Sequence, residues 1–337
     1  MCVAILIMHK TFDEFITIEA LFQAWDEFKK EKRKRADVQL FERHLEVNMF
    51  SLDQSLKDKT YRHGGYYPFY VHDPKQRHIH KAQVCDRVVH HLLYTYLYDL
   101  FDKSFIFDSY SCRLNKGTHK GVDRLETIVR KVAKNHTRPC FALKLDIKRF
   151  FASVDHQVLK TLLERKIKDK DILWLLDQVI DSFQYEVGKG IPLGNLTSQV
   201  FANIYLHELD FYIKQRLKVK HYLRYADDFI LLSDDLTYLR SCVLPIQQFL
   251  ETQLKLILHP KKIIYRKLDW GIDFLGYVVL PHYRLPRTKT KKRIFKKLQE
   301  RQNSPTFDQS LQSYLGYLSH ASAYKVKLRL LKNVVIK

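Results

Sequence analysis

The sequence predicts an α+β fold in which an antiparallel sheet packs on helices. Three observations predict it. Two short strand patterns meet at Asp227 and Asp228 within His221 to Ser233, HYLRYADDFILLS. An alternating stretch, Phe141, Leu143 and Leu145 against Ala142 and Lys144, ends in Asp146. Helical periodicity fills much of the remaining chain. Both acidic positions therefore stand at the tips of apolar strands. Bringing adjacent carboxylates out of water is costly unless cations or donors compensate. A hard divalent cation does so, because it takes carboxylate oxygens. Taken singly, Asp227-Asp228 also suits an ordinary turn and Asp146 a helix N-cap. If the strands are neighbours, the three carboxylates form a cage for two magnesium ions of the kind that stabilises an in-line displacement at phosphorus.

The elements follow in chain order. From Phe12 to about Phe50 the pattern is helical, with Phe15, Ile18, Leu21, Phe22, Trp25 and Phe28 recurring at three and four, so residues 1–60 form an N-terminal helical extension. The basic run Lys29 to Arg35 lies on the same or the next helix, as a solvated face or a phosphate contact. Alternating aromatics from Tyr66 to Val71, the turn HDPKQ, then Arg77 and Ile79 predict a β-hairpin with bases near its tip. Asp86 to Leu100 is a helix with a core face. Ser109 to Val132 opens as a basic loop and becomes an amphipathic helix. Past the Asp146 strand, Phe150 belongs to the core.

Phe183 to Val187 and Ile191 to Leu193 read as strand-like stretches around GKG. Pro192 and Gly194 shape a loop before a helix from about Thr197 to Leu217, and Gly194, lacking a side chain, leaves its backbone open to close approach. Leu244 to Leu258 is helical and leads into HPKKIIY. Trp270 to Val279 forms a hairpin, with Gly276 permitting its turn. Arg287 to Lys297 is a basic amphipathic helix suited to a membrane, a partner or a nucleic-acid duplex. Ser313 to Tyr324 packs as a second helix. No stretch resembles a ribonuclease H domain or a Cys- or His-rich endonuclease module.

Composition narrows the partners. A net charge of +21 on 337 residues points to a polyanion and to salt-dependent binding. Five scattered cysteines without a Cys-x-x-Cys pair argue against a disulfide framework or zinc site and for a reducing cytoplasm. The opening MCVAILIMHK has no basic leader and is too short to span a membrane, so it reads as a short terminus, with Met8 an alternative start.

YADD before FILLS, KLDIKRFF (Lys144 to Phe151), GIPLGNLTSQVFANIYL (Gly190 to Leu206) and DFLGYVV (Asp273 to Val279) resemble the motifs of reverse transcriptases, in that family's order. The resemblance implies a right-hand polymerase: fingers and palm over 61–281 and a short helical, basic thumb over 282–337. It implies two Mg2+ ions on Asp146, Asp227 and Asp228, with Asp227 sharing both ions with Asp146 and Asp228 assisting at the primer end. Lys262 matches the family lysine that protonates departing pyrophosphate; on residues alone it is equally a surface lysine. Lys75 and Arg77 correspond to triphosphate contacts, and Phe151 to the ring that packs on the sugar and excludes a 2′-hydroxyl. Leu193 and Gly194 fall where the nucleotide is positioned. Arg113 and Lys116, with His119 and Lys120, match template contacts, as do Ser198 and Gln199. Phe274, Leu275 and Gly276 would seat the primer terminus, and Lys291, Lys292 and Arg293 would grip the duplex. The implied partners are template RNA, cDNA, their RNA–DNA hybrid and dNTPs, with no membrane.

Two departures refine the resemblance. Most reverse transcriptases carry Gln-Gly and Ser-Pro where this chain has Leu193-Gly194 and Ser198-Gln199. The form LGNLTSQ is similar to that of diversity-generating retroelements, bacterial or phage-encoded, which copy a template RNA with frequent errors at adenines and so diversify a target gene. Leu193 lacks the hydrogen bonds an amide would make, a loss worth about 1–3 kcal/mol of discrimination. That class implies a small basic accessory protein and a structured RNA as partners, possibly within an oligomer. Group II intron-type, retron and phage-defence enzymes are the alternatives, followed by a non-catalytic RNA-binding scaffold. The three retained acids speak against the scaffold, since a binder gains nothing from anions facing a polyanion.

Overall fold

The computed structural model describes residues 11–72 and 75–335. The predicted N-terminal segment and two positions of the HDPKQ turn, Asp73 and Pro74, lie outside the described residues. The chain forms two compact units: Met1–Ile106, Lys148–Asp210 and Phe249–Ile257 in the first, Phe107–Ile147, Phe211–Gln248 and Leu258–Lys337 in the second. The divisions expected after residues 60 and 281 fall within these units.

In the first unit the predicted N-terminal helical region is four helices, Phe12–Phe15, Ile18–Lys29, Ala36–Arg43 and Leu45–Lys57. Thr11 and Glu14 close a capping box at its start, and Thr17 accepts from Ala20 N to begin the second helix. Only Lys29 of the basic run is helical, ending the second helix; Lys30 to Arg35 make the turn before Ala36, with Glu31 at a φ of 60°. Lacking apolar residues at helical spacing, that run has nothing to bury. The Ile18–Lys29 helix packs on Val84–Phe101 through Phe28, whose ring meets His91 edge-on at 5.7 Å. Strands β1 (Tyr66–Val71) and β2 (Arg77–Ala82) form the predicted hairpin, in register from Tyr66 opposite Ala82 to Val71 opposite Arg77.

The expected strand stretches around GKG make only single bridges, Asp155 to Lys189 and Glu186 to Lys189. Gly188 and Gly190, at φ of 69° and 107°, turn the chain where a strand would have to extend. The following helix spans Leu196–Phe211 and ends in a wider turn, Tyr212–Arg216, with Tyr212 only half-buried. The predicted Leu244–Leu258 helix spans Val243–Gln253.

The second unit holds β3 (Phe141–Asp146), β4 (His221–Tyr225), β5 (Asp228–Ser233) and β6 (Ile264–Lys267) in the order β4-β5-β3-β6, all neighbours antiparallel. A second sheet follows, β7 (Ile272–Phe274), β8 (Tyr277–Val279) and β9 (Arg284–Pro286). The Thr118–Val132 helix buries Val122, Leu125 and Ile128 in one core with Leu223, Ile230 and Phe274. Helices Thr288–Glu300, Phe307–Ser319 and Tyr324–Val335 share a further core built on Ile294, Leu311, Leu318 and Leu330. The third of these helices was not expected, although Val326 and Leu330 recur at helical spacing. Among the described residues no helix is long and apolar enough to cross a membrane.

Candidate active site

The β3–β5 register sets Asp146 directly opposite Asp228. Directly opposed residues of an antiparallel pair lie on the same face, with Cα atoms about 4.5–5.5 Å apart. Tyr225 closes β4 against the same Asp228, leaving Ala226 and Asp227 as the turn. Ala226 takes a φ of 52°, a conformation an L-residue enters at some cost. Arg224, whose side chain is fully buried, donates from Nη1 to the Ala226 carbonyl at 3.2 Å and holds that turn. The backbone amide of Ile147 donates to Asp227 O at 3.3 Å. Asp228, rather than Asp227, is thus the ladder partner of Asp146, because β5 begins at Asp228.

Lysines flank these carboxylates. Lys262 ends the short turn Pro260–Lys262 and donates from Nζ to Asp146 Oδ1 at 2.7 Å. The neighbouring His259 amide donates to Asp146 O at 2.8 Å. Lys144 stands two residues before Asp146 on its strand and so on its face; its Nζ is 3.2 Å from Asp228 Oδ2 and donates to Asp273 O at 3.1 Å. Burial pushes the Asp228 carboxyl up to about 6, Lys144 opposes the rise, and the Asp146 and Asp227 charges add to it. Asp228 Oδ1 is buried without a hydrogen-bond partner.

Among the described residues no three side chains stand as a ready metal-ligating cluster. Asp146 and Asp228 are each turned to a lysine, which neutralises like charges held close. The residues nevertheless fit magnesium: the donors are hard carboxylate oxygens, and one of them is buried and unsatisfied.

The other predicted positions fare unevenly. In the second unit Arg113 donates to Ser109 O, while Lys116 donates to Phe107 O at 2.8 Å and lies 3.5 Å above the Phe107 ring, so both brace their own loop. Lys120 likewise donates to Asn115 O, and His119 stacks on His320 at 3.7 Å. The Phe274 side chain is wholly buried and packs in the core. Leu275 and Gly276 form the two-residue β7–β8 turn at φ of 48° and 93°. A Cβ on Gly276 would meet Tyr317 Oη at 2.9 Å, and that hydroxyl donates to Gly276 O at 2.7 Å. On the Thr288–Glu300 helix Lys292 is exposed, while Lys291 and Arg293 are half-buried.

In the first unit Lys75 and Arg77 are exposed near the hairpin tip. Phe150 is buried as expected and Phe151 half-buried beside it, their rings 5.4 Å apart. Gly194 takes a φ of 108°, but the close neighbour is Ile79: a Cβ would meet its Cγ2 at 2.6 Å. The close approach expected for a nucleotide is therefore made by β2. Leu193 O accepts from His80 N at 3.1 Å, and the buried Asn195 donates from Nδ2 to His80 O at 2.8 Å, joining this loop to β2. Ser198 is buried with its Oγ unpartnered, so it presents no hydroxyl to a template; Gln199 is half-buried. Sequence reasoning missed Lys144, Arg224 and Asn195. Lys144 alone carried a signal, its place two residues before Asp146.

Strand-end aspartates at one edge of an antiparallel sheet, with helices on its face, define the palm of a right-hand polymerase. The chain matches the family described as reverse transcriptase (RNA-dependent DNA polymerase) over residues 72–279, well over half its length, and it belongs to that family. It is similar to the group II intron-encoded protein LtrA of Lactococcus lactis subsp. cremoris, 30% identical over 176 residues that cover 50% of this chain and 28% of that protein. Protein YkfC of Escherichia coli is 24% identical over 230 residues, 57% of this chain and 60% of that protein. An uncharacterized 91 kDa protein in the cob intron of Schizosaccharomyces pombe is 28% identical over 136 residues, 38% of this chain and 16% of that protein. The chain thus spans less than two thirds of the length of these relatives. The structure of apo telomerase from Candida tropicalis shares the fold at a TM-score of 0.53 and 13% identity, over 81% of this chain and 57% of that one.

Proposed function

We propose that this protein is an RNA-directed DNA polymerase that joins deoxynucleotides to a primer on a template RNA. The reading is carried by the register that opposes Asp146 to Asp228 beside a turn bearing Asp227, in a chain of this family. In the proposed reaction the primer 3′-hydroxyl gives up its proton to water as its oxygen bonds to the α-phosphorus of a dNTP, the bond from that phosphorus to the bridging oxygen breaks, and pyrophosphate leaves. Asp146, Asp227 and Asp228 would hold magnesium, which when bound supplies electrostatic stabilisation of the charge developing at phosphorus. Lys144 and Lys262 hold positive charge against Asp228 and Asp146, so the acids stay close before substrate arrives. Lys262 carries the proton proposed for pyrophosphate and must leave Asp146 to deliver it. Lys75 and Arg77 would contact the triphosphate, Phe151 the sugar, and Lys291, Lys292 and Arg293 the RNA–DNA hybrid. Fingers and palm would span 61–281 and the thumb 282–337.

The finer proposal is error-prone, adenine-mutagenic copying of the diversity-generating kind, in the cytoplasm of a bacterium and with a small basic accessory protein. It is supported by Leu193 and by the form LGNLTSQ. The similarity to LtrA favours a group II intron-type enzyme as the second reading. Primer extension on RNA with dNTPs and magnesium, comparing wild type with Asp227→Ala, tests the activity. Extension by the wild type alone is expected, and Asp227→Ala should keep its RNA affinity. RNA binding without extension by either protein, with candidate partners supplied, would instead favour a scaffold.

A further inference from the structure

The β1–β2 hairpin has two unlike faces, since side chains alternate along each strand. On one face, Ile79 fills the space at Gly194, and Lys81, tied to Asp37, lies 5.9 Å from the Tyr67 ring. Arg77, the expected triphosphate contact, belongs to that face. The other face carries a file of rings. His72 and Tyr70 lie 6.2 Å apart at 29°, Tyr70 and His78 are 4.5 Å apart and nearly parallel at 11°, and His80 follows at 4.3 Å. Phe183 continues the file 4.6 Å from His80, and Tyr66 lies 5.4 Å from Phe183.

The inner end of this file is fixed. Tyr66 shares a hydrogen bond with Ser182 Oγ at 2.8 Å, and its ring stacks on His63 at 4.9 Å. The outer end is open, with Tyr70 56% exposed. Tyr66 to Ala82 contains three lysines or arginines and three histidines against one acid, Asp73. Flat rings in an ordered file, exposed at its outer end, match the chemistry of unpaired nucleobases, whose faces stack on aromatics regardless of sequence; Arg77 and Lys81 stand on the other face of the hairpin.

We propose that the Tyr70–His78 face of the hairpin is a stacking platform for the unpaired bases of a single-stranded nucleic acid. The inference rests on the polymerase reading for the identity of that strand, and it adds a contact surface on the hairpin face opposite Arg77. Two or three bases laid along the file would hold the strand without reading its sequence.

The test is fluorescence anisotropy with a labelled single-stranded oligonucleotide, RNA in one arm and DNA in another, against a blunt duplex of the same sequence. Tyr70→Ala and His78→Ala are each expected to weaken single-strand binding about 5- to 150-fold. Tyr70→Phe, which keeps the ring, should bind within about twofold of wild type, and duplex binding should hold in all variants. The stronger of the RNA and DNA arms identifies the strand. A 2-aminopurine base in the oligonucleotide should be quenched by wild type and Tyr70→Phe and remain bright with Tyr70→Ala. Undiminished single-strand binding in both alanine variants overturns the proposal, as does an equal loss in Tyr70→Phe or a parallel loss on duplex. Wild-type primer extension is measured alongside. Should extension fail while the Tyr70 dependence holds, the polymerase reading falls and the platform stands.

Discussion

Replacing Asp228 with Asn should stabilise the metal-free protein at neutral pH while abolishing polymerisation. Burial, with Asp146 and Asp227 nearby, raises the Asp228 carboxyl from 3.8 to about 6 in the folded protein. Between those values the folded chain holds a proton that the unfolded chain has released, so stability falls as pH rises through this window. The loss is complete above the folded value. It amounts to at most about 3 kcal/mol at pH 8, since each tenfold change in proton affinity is worth about 1.4 kcal/mol. Asparagine resembles the protonated acid in shape and cannot ionise, so the Asn variant lacks this slope. Urea unfolding in EDTA at pH 5 and pH 8 measures the upper part of it: wild type should lose about 1.4 kcal/mol more than Asp228→Asn between the two, the rest of the slope lying below pH 5. Added magnesium should narrow the gap by favouring the ionised form. Equal pH slopes in the two proteins would refute the placement of Asp228 as a buried carboxylate pressed by its neighbours. The trade has a physical reason, since a site that holds like charges together for chemistry forgoes stability.

Three further outcomes are expected. Gly194→Ala should cost about 2–4 kcal/mol in urea unfolding, from backbone strain at a φ of 108° and the 2.6 Å approach to Ile79; Ile79→Ala in the same chain should restore part of it, and a neutral Gly194→Ala would contradict the geometry. Leu193→Gln should lower misincorporation opposite template adenine about tenfold in sequenced extension products, and an unchanged error spectrum removes Leu193 from the account. Phe151→Ala should raise ribonucleotide incorporation about 10-fold or more in competition with dNTPs, whereas unaltered sugar selectivity would return Phe151 to a packing role.

The strands that end or begin at Asp146 and Asp228, and the turn that holds Asp227, were legible because each acid borders a local apolar pattern, and such patterns survive without knowledge of neighbours. The β1–β2 hairpin was legible for the same reason. The GKG segment was misread because apolar residues on both sides resemble strands, while Gly188 and Gly190 take φ values that only the folded loop reveals. Phe274 and Ser198 were assigned to ligands from their motifs, and both are buried. A motif marks a position in the chain and leaves open whether its side chain faces the interior.

By itself the sequence determined the polymerase-like order of motifs, the acidic strand ends and the basic balance that calls for a polyanion, since all three are written in local spacing and composition. Only the tertiary structure decided that Asp146 faces Asp228 across the ladder, that Lys262 and Lys144 neutralise the acids, and that Ile79 occupies the space beside Gly194. Each of those pairings joins residues more than 80 positions apart in the chain. Strand register and packing set such contacts, and neither is encoded in the neighbours along the chain.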